Sequence, residues 1–273
     1  IEFPVGTIIA KTFAMPADLR DPNSDERLIE TRILWRQEDR GWVGLPYVWN
    51  DEETEATLKL AGGFVDVAWI HSDGAERTNS YIIPIANQCK GCHKAHDKEM
   101  SPIGPKLRNL NRDYEYPHGS QNQLAHWVEA GVLEPVGDPD ELPRVAVWDD
   151  ESTGTLDERA RAWLDSNCAH CHNPEGPARN AGLDLLITQT DPYKYGIHRA
   201  PVASGRGNGG RLYDIVPGKP EESVLYSRLT STDPASMMPE LGKRLIHDEG
   251  AELIREWIAS LPSDPSGETS ALP

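Results

Sequence analysis

The chain has 273 residues, 26% charged and 38% hydrophobic, as in an ordinary folded protein with room for one large or two to three small domains. Its 27 Lys and Arg against 44 Asp and Glu give a formal charge of −17. That argues against nucleic acid or an anionic membrane surface, both of which want a basic face, and suits encounter with an electropositive protein surface.

The longest apolar run, AGGFVDVAWI at 61–70, contains Asp66 and falls short of the roughly 20 residues of a membrane span. No charged-then-apolar leader precedes Ile1, so an export signal is expected to be removed or absent. The 23 Gly and 22 Pro imply many loops and turns.

Residues 1–86 carry short β-rich runs, GTIIAKTFAM, LIETRILW, EATLKLA, FVDVAWIHS and TNSYIIPI, separated by the turn signals DPNSDE, DRGW and SDGAE. These predict an antiparallel sheet or small sandwich. DPNSDE at 21–26 begins like a calcium loop, but it lacks the glycine at position 6 and has Arg32 at position 12. It reads as a surface turn.

The next segment, 87–150, opens on QCKGCHKAH at 88–96, and its pattern returns at Cys168-Ala-His-Cys171-His172. The two copies use all four cysteines of the chain. A four-cysteine zinc site is one rival, but its CxxC pairs usually lie within about 20 residues, and here 75 separate them. A thioredoxin-type couple wants a βαβ setting. Neither reading, nor a pair of disulfides, accounts for a histidine after each second cysteine. Covalent haem accounts for every residue. Two thiols at this spacing add to the two vinyl groups of one porphyrin, and His93 or His172 delivers an imidazole to iron from the same turn. Further on, NQLAHWVEAGVL at 122–133 predicts a helix ending near Gly131. The stretch after it, EPVGDPDELPRVAVWDDESTG, has no Met, His or Lys to offer a second axial ligand.

The last segment, 151–273, begins with TLDERARAWLDSNCAHCH. Thr155 reads as N-cap, with Leu156, Ala160, Trp163 and Leu164 on one face of a helix that runs into the second motif. DEGAELIREWIASLP predicts a closing helix with Leu253, Ile254, Trp257, Ile258 and Leu261 on one stripe, stopped by Pro262. GRGNGG at 205–210 fits GxGxxG, but no strand leads in and no helix follows. It reads as a loop in which Arg206 or Arg211 pairs with a propionate of the second haem.

Taken together, the two CxxCH motifs resemble those of dihaem c-type cytochromes. A helix ending at CxxCH, an amphipathic last helix, and SMMPE at 236–240 between them are similar to class I cytochrome c. The resemblance implies that Met238, the residue before proline, rather than Met237, gives a thioether to the second iron; the alternative is that both methionines pad the core. Gly104-Pro105-Lys106-Leu107 resembles that family's GPxL turn, which implies that the Pro105 carbonyl accepts from the other nitrogen of His93. Candidates for the far side of the first iron are Met100, His118, His126, His71 and Met15, or no ligand at all; His96 is too near His93 to cross the porphyrin. FPVGTIIAKTF and a β-domain ending at CxxCH are similar to the β-fold cytochromes c′ and their hydroxylamine-oxidising relatives. In some of those a lysine bonds the porphyrin, and Lys11 is the candidate here.

The expected architecture is α+β: an N-terminal antiparallel β-domain (1–86), then two mainly α-helical cytochrome c-like haem modules (87–150 and 151–273). The expected cofactors are two covalently attached haems c. The resemblance implies a periplasmic or secreted protein, because such haem is attached outside the bacterial cytoplasm. The expected function is electron transfer between the two haems and a redox partner protein. The competing expectation is an enzyme, a peroxidase or an oxidase of a small nitrogen compound, with an open site at the first haem fed by the second. A third is a docking module whose β-domain binds a dehydrogenase.

Overall fold

Alternation of apolar and polar residues builds the N-terminal region. In the computed structural model, which describes residues 1–94, 98–202 and 205–263 (the Arg206 side chain excepted), β1 (Ile8–Pro16), β2 (Glu26–Gln37), β3 (Gly41–Trp49) and β4 (Ala56–Leu58) form an antiparallel sheet in that order. A separate hairpin, β5 (Gly63–Ile70) and β6 (Glu76–Ile83), packs on it. Ile29, Val67, Trp69 and Ile83 make the buried centre, flanked by Met15, Val48, Val65 and Tyr81. The runs expected at β1, β2, β5 and β6 are strands. EATLKLA contributes only three strand residues. β3, hidden by DRGW and by Pro46, was not expected. Pro46 lies where β4 gives out, an edge position that tolerates a missing N–H.

Cross-strand register fixes what one face of this sheet carries. Phe13 stands opposite Glu30 and Lys11 opposite Arg32; Arg32 in turn stands opposite Pro46, and Leu34 opposite Gly44. Directly paired residues point to the same side, so Lys11, Phe13, Glu30, Arg32 and Gly44 share one face.

The remainder corrects the expected architecture: the chain after residue 86 is not two mainly α-helical modules. Residues 87–150 hold α1 (Cys89–His93), α2 (Leu107–Leu110), a hairpin of β7 (Asp113–Tyr116) and β8 (Gly119–Asn122), and α3 (Gln123–Glu129). From 151 onward come α4 (Leu156–Asn167), α5 (Val224–Leu229) and α6 (Asp248–Ser260). The two longest described helices have only 12 and 13 residues, and the described residues between α4 and α5 are mostly turns and short 3₁₀ segments, with isolated bridges such as Ile197–Ile215. The reason is local. Gly and Pro recur every few residues there, and a helix needs an uninterrupted apolar stripe over several turns. None of the described helices is long and apolar enough to cross a membrane.

The helices with such stripes form as expected. Thr155 and Glu158 close a reciprocal capping box on α4. Ala160, Trp163 and Leu164 of α4 pack with Leu253, Ile254, Trp257 and Ile258 of α6 in a second core. Trp257 Nε1 donates to Asp157 at 2.8 Å, which ties α6 to the first turn of α4. This core encloses the base of the second CxxCH turn, because Ala169 is fully buried in it and Cys168 packs against it.

Candidate functional site

The strand β6 leads through Pro84 and a short 3₁₀ turn into α1, the single helical turn CKGCH. That turn docks on the sheet face defined above. A Cβ on Gly44 would stand 2.7 Å from Cys89 Sγ, so glycine is required there for close approach. Burial raises the Cys89 thiol, and the Arg32 charge opposes the rise.

Behind Cys89 the sheet carries a polar group. Glu30 is fully buried; its Oε1 accepts from Tyr81 OH at 2.7 Å and from Arg32 Nε at 3.0 Å. Its Oε2 is buried with no partner. Arg32 lies over the Phe13 ring at 4.3 Å, and Lys11 Nζ stands 4.9 Å from the same ring.

His93 offers one ring nitrogen outward. Its Nδ1 lies 2.9 Å from the carbonyl of Ser101, which leaves Nε2 free. This corrects the expectation for Pro105: the carbonyl on this ring belongs to Ser101, four residues earlier, which the antiparallel bridge between Lys94 and Met100 brings beside the motif. Burial pulls the His93 imidazole below its ordinary pKa, against the pull of the Ser101 bond. For His172, burial and then the Arg228 charge bring it down to about 4. Both rings are therefore neutral at pH 7, the form that ligates a metal. His172 Nδ1 is buried and has no hydrogen-bond partner among the described residues. All four cysteines are free, half-buried thiols.

The two motifs meet in space. Ligand atoms of Cys92, His170 and Cys171 lie within 4.8 Å of one another, and Cys171 Sγ is 4.0 Å from the Gly91 carbonyl. Contact with Cys171, then with His170, pulls the Cys92 thiol down to about 4, and the same contact raises Cys171. The 75-residue separation therefore does not keep the motifs apart, and sequence distance alone does not exclude a shared metal. The cluster offers three such ligands among the described residues, where structural zinc takes four.

The remaining expected residues fall as follows. Met238 is half-buried and Met237 buried; the Met238 amide donates to the Arg228 carbonyl at 3.0 Å. Arg228, whose charge reaches His172, thus links that histidine to the SMMPE segment, a role nothing in the local pattern signals. Arg211 Nε donates to the Glu221 carbonyl at 2.7 Å, and the Arg206 side chain and His96 lie outside the described residues. Met15 pads the sheet core. His71 sits between Trp69, at 3.4 Å, and Asp248, at 3.9 Å. His118 and His126 stack with Tyr116, at 5.5 and 3.8 Å between ring centres. Met100 is buried next to Ser101, on the stretch that orients His93. A surface cleft of about 520 Å³ lies between His71, Arg77, Trp148, Asp248 and Glu252, and its lining includes no cysteine.

The residues of both motifs fit covalent haem: paired thiols at CxxC spacing, neutral imidazoles directly after, and one ring already oriented through its second nitrogen. Compared with known proteins, the chain matches no family model, no curated protein and no solved structure.

Proposed function

We propose that this chain is a dihaem c-type cytochrome, passing electrons between two covalently held haems and a redox partner protein. The observation that carries the reading is that all four cysteines fall in two CxxCH motifs, each ending in a histidine whose burial favours the neutral ring. When bound, haem supplies a one-electron iron couple. With haem attached, His93 and His172 would hold the irons, the Ser101 carbonyl would fix the His93 ring, and Met238 would be the thioether donor to the second iron, which would raise its potential. The acidic chain, at −17, suits an electropositive docking partner. Attachment chemistry of this kind places the working protein in the periplasm or outside the cell.

The haem count tests this. The mature protein should hold two haems per chain that survive acid–acetone extraction, and replacing Cys168 and Cys171 by Ala should leave one. A ratio of one in the unaltered protein, or stoichiometric zinc instead, overturns the reading.

A second reading, a haem enzyme working at the first site, draws on one observation. The sheet face beside Cys89 carries a guanidinium, Arg32, held by the buried Glu30 and by Tyr81, next to the exposed Lys11. Were a haem attached at Cys89 with its open side toward this sheet face, such a fixed cation would be the kind of group that orients a small ligand on iron.

A further inference from the structure

We infer that the two haems form one coupled pair, joined rim to rim at Cys92 and Cys171, and that electrons cross between them at this corner. The inference rests on the dihaem reading and says how its two halves are connected.

The four thiols are not equivalent. Cys89 is braced against Gly44 of the sheet, and Cys168 packs on the core between α4 and α6. These outer thiols anchor each motif to a different support. The inner thiols, Cys92 and Cys171, face each other with His170 in the same corner, all three ligand atoms within 4.8 Å.

Two further contacts hold the motifs in this apposition. A Cβ on Gly91 would come within 2.9 Å of Leu241 Cδ1, so the first turn packs on the segment that follows Met238. Lys98, after the first motif, pairs with Glu175, after the second.

A CxxCH sulfur bonds to a carbon on the rim of its own porphyrin. Two such sulfurs side by side bring the two rims together, whichever way the planes are tilted. The step there moves one electron: a ferrous iron becomes ferric and the other iron, ferric, becomes ferrous, with no bond made or broken and no proton required. The redox partner supplies or removes the electron. Adjacent centres also feel each other's charge, which separates their two potentials.

The test uses the oxidised holoprotein and paramagnetic resonance. Two one-haem variants, Cys89→Ala with Cys92→Ala and Cys168→Ala with Cys171→Ala, supply the isolated centres. With two haems attached, each signal should relax faster than in its one-haem variant, because the neighbouring ferric iron is close. Gly91→Trp, which keeps every CxxCH residue, should wedge the corner open. It should retain two haems, slow the relaxation toward the isolated values and narrow the gap between the two potentials. Two attached haems that relax like isolated ones overturn the inference while leaving the dihaem reading intact, and so does a two-haem Gly91→Trp protein with unchanged coupling. A haem count other than two sinks the dihaem reading itself.

Discussion

At the scale of single residues, the choice between Met237 and Met238 turns on what each side chain already has. Met237 is 9% exposed and serves the core. Met238 keeps part of its surface open, and its backbone is fixed at both ends: its amide donates to the Arg228 carbonyl and its own carbonyl accepts from Lys243 Nζ at 3.1 Å. A thioether on such a clamped segment can approach iron at little further entropic cost. Met238→Ala should therefore abolish the near-infrared methionine-to-iron band of the oxidised protein and lower the potential of the second haem. Met237→Ala should leave both in place and instead cost roughly 2 kcal/mol of stability, toward the low end for a buried methionine. The reverse outcome would move the ligand by one residue.

At the scale of elements, α4 ends with an aspartate where the helix dipole disfavours one. Asp165 is 1% exposed, and its partners lie outside α4: Arg108 at 2.9 Å and Lys106 at 3.2 Å from the middle segment, and the Ile187 amide at 3.1 Å. Burial alone would raise this carboxyl, but the Arg108 bond, the Ile187 N–H and the two charges outweigh it, so it is held below the ordinary aspartate range. A lowered folded pKa gives stability that is present above the unfolded value and lost as pH falls through the folded one. Asp165→Asn should destabilise the protein by roughly 2–3 kcal/mol at pH 7, since it leaves the cations of α2 uncompensated. In denaturant titrations the gap from wild type should close as pH drops below about 3.8; a gap constant with pH would refute the clamp. The sequence announces α4 and α6 because their apolar stripes repeat over three turns, and it announces both CxxCH motifs because their chemistry is local. β3 and the β7–β8 hairpin escape it, since Pro46 and Pro117-His118-Gly119 read as breaks. Asp165, Arg228, Ser101 and His170 escape it for a different reason: each acquires its role from a residue that only the fold brings near.

At the scale of the whole molecule, the first motif sits between two unlike neighbours: the sheet face bearing Arg32, Phe13 and Lys11 on the Cys89 side, and the second motif on the Cys92 side. The side chains that sequence offered as a second axial ligand are engaged elsewhere: Met15 in the sheet core, His71 with Trp69 and Asp248, and His118 and His126 in a stack on Tyr116. Met100 lies buried beside Ser101, on the stretch that supports His93 from its own side. If haem is attached at the first motif, its iron should therefore have a free or loosely held sixth position, and carbon monoxide reports on such a position because it binds quickly only there. Added to the reduced protein, it should bind rapidly at one haem, and the Cys168→Ala, Cys171→Ala variant should bind it just as fast, since the first site remains. Arg32→Ala should then shift the C–O stretching band, because a fixed cation near the bound ligand polarises it. Rapid binding with an unmoved band would place Arg32 away from the iron and remove the support for a catalytic face. No binding at either haem would leave two saturated irons and an electron carrier alone.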